Sequence, residues 1–552
     1  LHVIGTPPSP EIVAEFMADK SSDRRAQFID RMLENPGWAD HWVGYWQDVL
    51  AENPNVINPT LNNTGPFRWW IFESFLDNKS FDRFATELIS MEGSANFGGP
   101  AGFEMASQND APFAAKAHII GQGFLALEMK CARCHDAPYH DFLQEDLFSI
   151  AAMLKRGPQK VPKSSTIPGG KSNSELVKVS LKAEQPISAK WPFAEKVESG
   201  IPNEILESSN DSRRELATRV TSPHNTRFAE VLVNRLWHRY LGRGLVASMG
   251  DWETEKPSHP ELLRFLAREF VLSGYDVKQL ARAILNSHTY QRQIAAADDD
   301  SPAELFAAPV RQRLTAEQLV DSLFAASGKE FRAGDMNIDI DGSRAITVSL
   351  NLGIPRRAWM FSSMSNERDR PSLTLPYVAP FVSTLETFGW RSSRQSPLTI
   401  REVEATVLQP AIIANGTLGR RFTRLSDDSA FTKLALQDQP ASELVNSVFV
   451  RALTRQPSSE ERSVFVELLS DSYAKRINKE EVDKPLPPLP SVRTGVGWSN
   501  HLHPDANRLQ VATHDAVSKG DPPTKKLNPE WRERFEDMLW ALMNSPEFVF
   551  AP

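Results

Sequence analysis

The chain has 552 residues, 62 Lys and Arg against 70 Asp and Glu, a net charge of −8 and only two cysteines. At about 100–200 residues per domain, that length predicts three or four domain-sized units or two large ones, in an ordinary globular composition. The charge balance excludes a global basic field for nucleic acid, no apolar run reaches the roughly 18 residues of a membrane helix, and a single cysteine pair excludes a disulfide scaffold.

The chain begins at Leu1 just before a helix-entry pattern, which reads as a trimmed product, so the lack of a leader says nothing of location. Ser9-Pro10-Glu11 supplies a cap, a proline at the first helical position and an early acid. A second helix is expected over 22–34, ending before Pro36. An aromatic stretch follows: Trp38, Trp42, Tyr45 and Trp46, then Phe67, Trp69, Trp70 and Phe72. At helical spacing it reads as core, with sugar stacking as the rival use. Helices are predicted over 81–91, 112–129 and 144–154. The glycine-rich connector 93–102 lacks the spacing of a phosphate loop. Residues 1–155 thus read as a helical domain.

Residues 156–211, rich in Lys, Pro, Ser and Gly, read as a linker with a short strand at 176–181. Residues 212–552 read as a second helical domain. Asn225–Tyr240 carries an apolar face, and Ser258-His259-Pro260-Glu261 and Thr315 with Gln318 have the form of capping boxes. Residues 331–402 are mixed, with a strand expected at 345–350 and an arginine-rich loop. Helices are predicted at 402–415, 441–454 and 458–474. Residues 484–527 read as a proline-rich excursion, and a last helix opens at Asn528-Pro529-Glu530. The fold class is mainly α.

Both cysteines lie in Cys131-Ala132-Arg133-Cys134-His135. This Cys-x-x-Cys-His spacing is the attachment signature of a c-type haem. Two thiols one turn apart can each form a thioether to a vinyl group, and the adjacent imidazole then serves as proximal iron ligand. Phe124, Leu125, Leu127, Met129, Tyr139, Phe142, Phe148 and Met153 are the expected apolar surround. For the sixth ligand the candidates are His118, His140 and Met153, with Met129 too close in sequence and His238 or His259 as distant options. The rival readings are a zinc site using Cys131, Cys134 and His135 or His140, and a redox dithiol.

The run Cys131 to Tyr139 followed by Gln144-Glu145-Asp146-Leu147-Phe148, together with Ile4 to Glu11, resembles the planctomycete cytochrome-C-like domain of unknown function. Arg227 to Trp237, Gly242 to Val246, Pro257 to Leu263 and the ending Asn544-Ser545-Pro546-Glu547-Phe548 resemble its usual companion, the planctomycete-specific C-terminal domain of unknown function. The resemblance implies one covalent haem c on an exported protein, periplasmic or at the cell surface, and settles no reaction. The commoner pattern has a second histidine where this chain has Ala137.

Three weaker patterns remain. Asn337, Asp339 and Asp341 space oxygen ligands like half a calcium loop, but Val348 stands where glutamate is wanted. Arg356, Arg357, Arg391 and Arg394, with Trp359, Trp390 and the acids of 365–370, form either an anion or sugar site or an arginine–carboxylate network. His501, His503, Asp505 and His514 would chelate a metal only if folded together. The expected function is electron transfer with a redox partner protein, or a haem-dependent oxidoreductase acting on a small molecule. The alternatives are an extracellular polysaccharide-binding or scaffolding protein with a structural metal, and a hydrolase using residues 356–394.

Overall fold

The computed structural model describes residues 1–52, 65–93, 99–105, 110–166, 177–197, 200–202, 205–206, 210–294, 305–333, 355–361, 377–391, 394, 396–398, 400–402, 404–482, 484, 496 and 502–551. It is mainly helical, and its two sheets among these residues are two-residue antiparallel pairs. The half calcium loop at 337–341, the strand expected at 345–350, the acids of 365–370 and His501 lie outside the described residues.

Two compact units form, and each is discontinuous in sequence. One comprises 42–310 with 393–400; the other comprises 1–41, 311–392 and 401–552. These units cut across the division expected at 156–211, because residues 212–310 pack with the cysteine-bearing segment.

In the first unit, α1 (Phe81–Ser90) lies against α4 (Ser212–Thr221), and α2 (Pro112–Leu125) lies against α3 (Gln144–Lys155). The helix α5 (Thr226–Leu241) touches α2 and pairs with α6 (Pro260–Leu272). Aromatic rings join these pieces. Phe81 stacks on Phe228 at 5.4 Å, and Trp46 stacks on Phe124 at 5.9 Å. Trp42 and Trp46 are fully buried, so the tryptophan stretch here is core and no open stacking platform. Two arginines, Arg235 buried and Arg227 half-buried, bind α5 to the end of α2. Arg235 donates to the carbonyls of Gly123 (3.1 Å) and Gln122 (3.0 Å), and Arg227 donates to that of Leu125 (2.9 Å). Cations at a helix C-terminus satisfy its orphan carbonyls and complement its dipole. The expected linker contributes a small hairpin, β1 (Gln159–Lys160) on β2 (Pro186–Ile187). Residues 177–181 are irregular and form no strand.

In the second unit, α7 (Ala316–Ser327) opens with the Thr315–Gln318 capping box as expected. It packs with α8 (Ala441–Leu453), and α8 in turn with α9 (Ser459–Ser470) and α11 (Pro529–Met543). β3 (Gln312–Arg313) pairs with β4 (Phe550–Ala551). The expected excursion contains a helix, α10 (Ala506–Lys519), most of whose residues are solvent-exposed. The box expected at Ser258 does not form: His259 takes the cap position, and the Ser258 hydroxyl donates to the Leu245 carbonyl at 3.0 Å.

Candidate functional site

The segment between α2 and α3 carries the cysteine motif. Helix propensity alone would run α2 on through Met129, since Phe124 to Lys130 is made of helix-tolerant residues. It stops instead at Leu125. Ala126 takes a left-handed conformation (φ 51°), and the Leu127 amide donates back to the Gly121 carbonyl at 3.0 Å. The reason is tertiary. Met129 folds back over Gly121, where any Cβ would collide with its methyl group. The Trp252 amide closes the turn by donating to the Ala126 carbonyl at 3.1 Å.

Cys131 to Arg133 form one tight helical turn. The amides of Cys134 (3.0 Å) and His135 (3.1 Å) both donate to the Cys131 carbonyl. Both thiols are free and exposed. The His135 Nδ1 lies 2.8 Å from the Asp136 carbonyl oxygen. Since that oxygen only accepts, Nδ1 carries the proton and the Nε2 lone pair is left for a metal or proton.

Asp136 is the buried anchor of the turn. Its amide donates to the Lys178 carbonyl (2.8 Å), and its Oδ1 accepts from the Gln144 amide (2.9 Å) and the Ser180 hydroxyl (2.7 Å). Gln144 is also buried. Its Oε1 accepts from the amides of Ser180 (2.9 Å) and Leu181 (3.2 Å), and its Nε2 donates to the Ser165 carbonyl (3.0 Å). The expected linker is therefore part of the site. One-dimensional reading missed Asp136, Gln144 and Ser180, because only the approach of Ser165 and residues 178–181 to the turn brings them together.

Each candidate sixth ligand already has a place. The His140 Nε2 contacts Asp251 at 2.7 Å, and its ring stacks on Phe142 at 5.7 Å. Met129 and Met153 are fully buried. His118 is buried with its Nδ1 unpartnered and its Nε2 3.6 Å from Glu128. Burial, with Lys130 adding to it, pushes its pKa down to about 4. The contact with Glu128 therefore joins a neutral ring to a carboxyl group, and burial pushes that carboxyl group's pKa up. His238 is likewise held near 4, by burial and then by Arg235 and Arg239.

A haem tests this arrangement in two ways. The donor set fits: two unpaired thiols one turn apart and an imidazole with Nε2 available. The expected apolar surround is not an open pocket. Phe124, Leu125, Leu127, Met129, Phe142, Phe148 and Met153 are buried, while Tyr139 is 78% exposed. A group bound to these thiols would lie at the protein surface. For zinc, no set of three or more His, Cys, Asp or Glu side chains is gathered among the described residues.

Residues 1–158 match the family model described as PSCyt2, a protein of unknown function (DUF1549). Residues 212–469 match that described as PSD1, a protein of unknown function (DUF1553). The chain thus carries two domains of unknown function in that order. No curated protein and no solved structure matches the chain. The Arg227 and Arg235 that cap α2 belong to the second matched segment, and the thiols belong to the first.

The other candidate sites are taken up by structure or dispersed. Arg357 pairs with Asp321 (2.8 Å) and Asp40 (3.2 Å), and Trp359 donates to Asp40 at 2.6 Å. Arg394 is buried against Asp48 and Glu52, and Glu52 also binds Arg68 at 2.7 Å. Arg357 and Arg394 fall in different compact units, each in its own arginine–carboxylate network. Asp505 stands at the N-cap position of α10, 3.8 Å from His503, and His514 lies nine residues along the helix, about 13 Å by helical rise, so His514 is not gathered with the other two.

Proposed function

We propose that this chain is a c-type haem protein of electron transfer, with Cys131 and Cys134 as the thioether anchors and His135 as the axial ligand. The observation that carries the reading is the tautomer of His135. Its Nδ1 proton is committed to the Asp136 carbonyl, beside two exposed and unpaired thiols. Bound there, the group would supply one-electron chemistry at iron. The chain's own residues hold the site. Asp136, Gln144 and Ser180 fix the turn, and Arg227 and Arg235 fix the helix that leads into it.

The contact of His140 with Asp251 and the burial of Met129 and Met153 in the core favour an iron with one open position, and so a haem-dependent oxidoreductase as the second reading. The resemblance to a planctomycete cytochrome-C-like domain followed by its companion supports the haem. Because haem c is attached outside the cytoplasm, the proposed location is the periplasm or cell surface. No helix among the described residues is long and apolar enough to cross a membrane.

Visible absorption decides the matter. A Soret band that survives denaturation and acid–acetone extraction is the expected result, and a colourless protein made in a haem-attaching host overturns the proposal. A reduced spectrum that shifts under carbon monoxide selects the open-iron reading. An unshifted spectrum selects simple electron transfer.

A further inference from the structure

We infer that His140, oriented by Asp251, is the general base that deprotonates a small weak acid binding beside the cysteine turn; its role toward that substrate rests on the open-iron reading, and the dyad itself does not. The His140 Nε2 lies 2.7 Å from the Asp251 Oδ2. A carboxylate only accepts, so Nε2 carries the ring proton and the Nδ1 lone pair is the basic one. Nδ1 has no hydrogen-bond partner among the described residues, and the side chain is 15% exposed. The ring is stacked on Phe142, which fixes its plane. A base held by a carboxylate at one nitrogen and open at the other is the arrangement proton transfer requires.

A structural tether is the rival use of such a contact, but both loops are closed without it. On the His140 side, the Ala137 amide donates to the Phe142 carbonyl at 2.8 Å, and the Gln144 amide donates to Asp136. On the other side, the Asp251 amide donates to the Ser248 hydroxyl at 3.0 Å. Trp252 donates through its amide to the Ala126 carbonyl (3.1 Å) and through its indole to the Ser248 carbonyl (2.8 Å). Five residues separate His140 from His135, a span of at most about 18 Å. The charged groups around the dyad are few. Asp141 is its exposed neighbour, and Glu128 feels the charge of both His140 and Asp251. Lys196 lies over the Phe142 ring at 4.8 Å and pairs with Glu253, which faces Arg227 at 3.6 Å. His140 belongs to the first matched segment and Asp251 to the second, within one compact unit. The second family domain thus supplies the residue that orients the base.

In the step, the substrate's X–H bond breaks, the proton passes to Nδ1 and the electron pair stays on X. Asp251 meets the imidazolium charge as it forms. The substrate class is a small protic molecule, such as a hydroperoxide, that binds through its conjugate base. Hydrogen cyanide is the probe, and its association with the haem-loaded full-length chain is followed by the Soret shift. The rate is expected to fall about a hundredfold in His140→Gln, which keeps a donor for Asp251 but takes up no proton, and about tenfold in Asp251→Asn. Asp251→Glu should restore most of the rate, and added imidazole should restore part of it to His140→Ala, with circular dichroism confirming that all four fold. A parental rate in His140→Gln, or a loaded chain that binds no cyanide, overturns the inference. The haem-free chain tests the dyad by itself. Diethyl pyrocarbonate in mildly alkaline buffer should modify His140, read by peptide mass, and Asp251→Asn should slow that modification. An unreactive His140, or one indifferent to Asp251→Asn, also overturns the inference. A colourless protein in which His140 reacts and depends on Asp251 sinks the haem reading and leaves the oriented base standing.

Discussion

Lys329 and the turn Cys131–His135 both carry reactive groups, and they differ in whether those groups are already used. The Lys329 ammonium is buried and donates to the carbonyls of Arg421 (2.6 Å) and Arg424 (2.9 Å) and to Asp521 (3.1 Å). Three donors meet three acceptors. Asp521 is in turn held by Arg332 (3.0 Å) and Arg421 (3.2 Å). Burial opposes its charge, but Arg421 and Lys329 outweigh that and hold its carboxyl below the usual range. Nothing there is left over for a ligand. At the turn, the amides of Ala132, Arg133, Cys134 and His135 are all bonded, while both thiols and the His135 Nε2 stay uncommitted. The lesson is that a saturated polar cluster serves the fold, whereas a rigid frame around unspent groups marks chemistry.

The largest effect expected from breaking this contrast is at the saturated end. Asp521→Ala leaves Lys329 and Arg421 as uncompensated buried charges and should destabilise its unit by about 3–5 kcal/mol. Calorimetry checks this, and a melting midpoint unchanged from the parent would contradict the structural role. Next comes acid. His118 and His238 have folded pKa values near 4 against 6.5 for the free side chain. Their neutral burial stabilises the fold above pH 6.5, and that stability is lost as pH falls through 4. The loss is on the order of 3 kcal/mol for each histidine. Glu128, whose pKa burial raises, works in the opposite sense. Urea midpoints measured from pH 7.5 to 4.5 should fall, and the slope should flatten in the His118→Asn/His238→Asn double variant.

Gly121→Ala tests the frame of the turn. The new methyl would push aside the buried end of the flexible Met129 side chain, and because Ala also gains about 1 kcal/mol of helix propensity there, the net loss should be no more than about 1 kcal/mol. Thermal melting gives the size of the loss, and a neutral outcome would show that Met129 moves freely. The smallest effect on stability belongs to the unspent groups. Cys131→Ser/Cys134→Ser should change the stability of the haem-free chain by no more than about 0.5 kcal/mol, because both side chains are exposed. It should nonetheless abolish all covalent colour. A large loss of haem-free stability in that variant would mean that the thiols are structural after all.

Much of this was legible in one dimension. Ser9, Thr315 and Asn528 cap the helices they were expected to open. Caps are legible because one side chain satisfies backbone amides two or three residues away. The motif was legible for the same reason: its spacing lies within a single turn. The early end of α2 was not. Its cause is the contact of Met129 with Gly121 and the capping of its carbonyls by Arg227 and Arg235, more than 100 residues away. Ser258 misled because its hydroxyl found Leu245 instead of the helix amides. The arginines of 356–394 read as a single cluster, but Arg357 and Arg394 pair with acids in different compact units.

Two cysteines beside a histidine are enough to name a chemistry, since ligand type and one-turn spacing are local properties of the chain. Tertiary structure decided the setting. It fixed the His135 tautomer through the Asp136 carbonyl and brought Ser165 and residues 178–181 against Asp136 and Gln144. It also buried the aliphatic and phenyl side chains that might have enclosed a porphyrin. Those outcomes depend on burial and on hydrogen-bond partners distant in sequence, which no local spacing encodes.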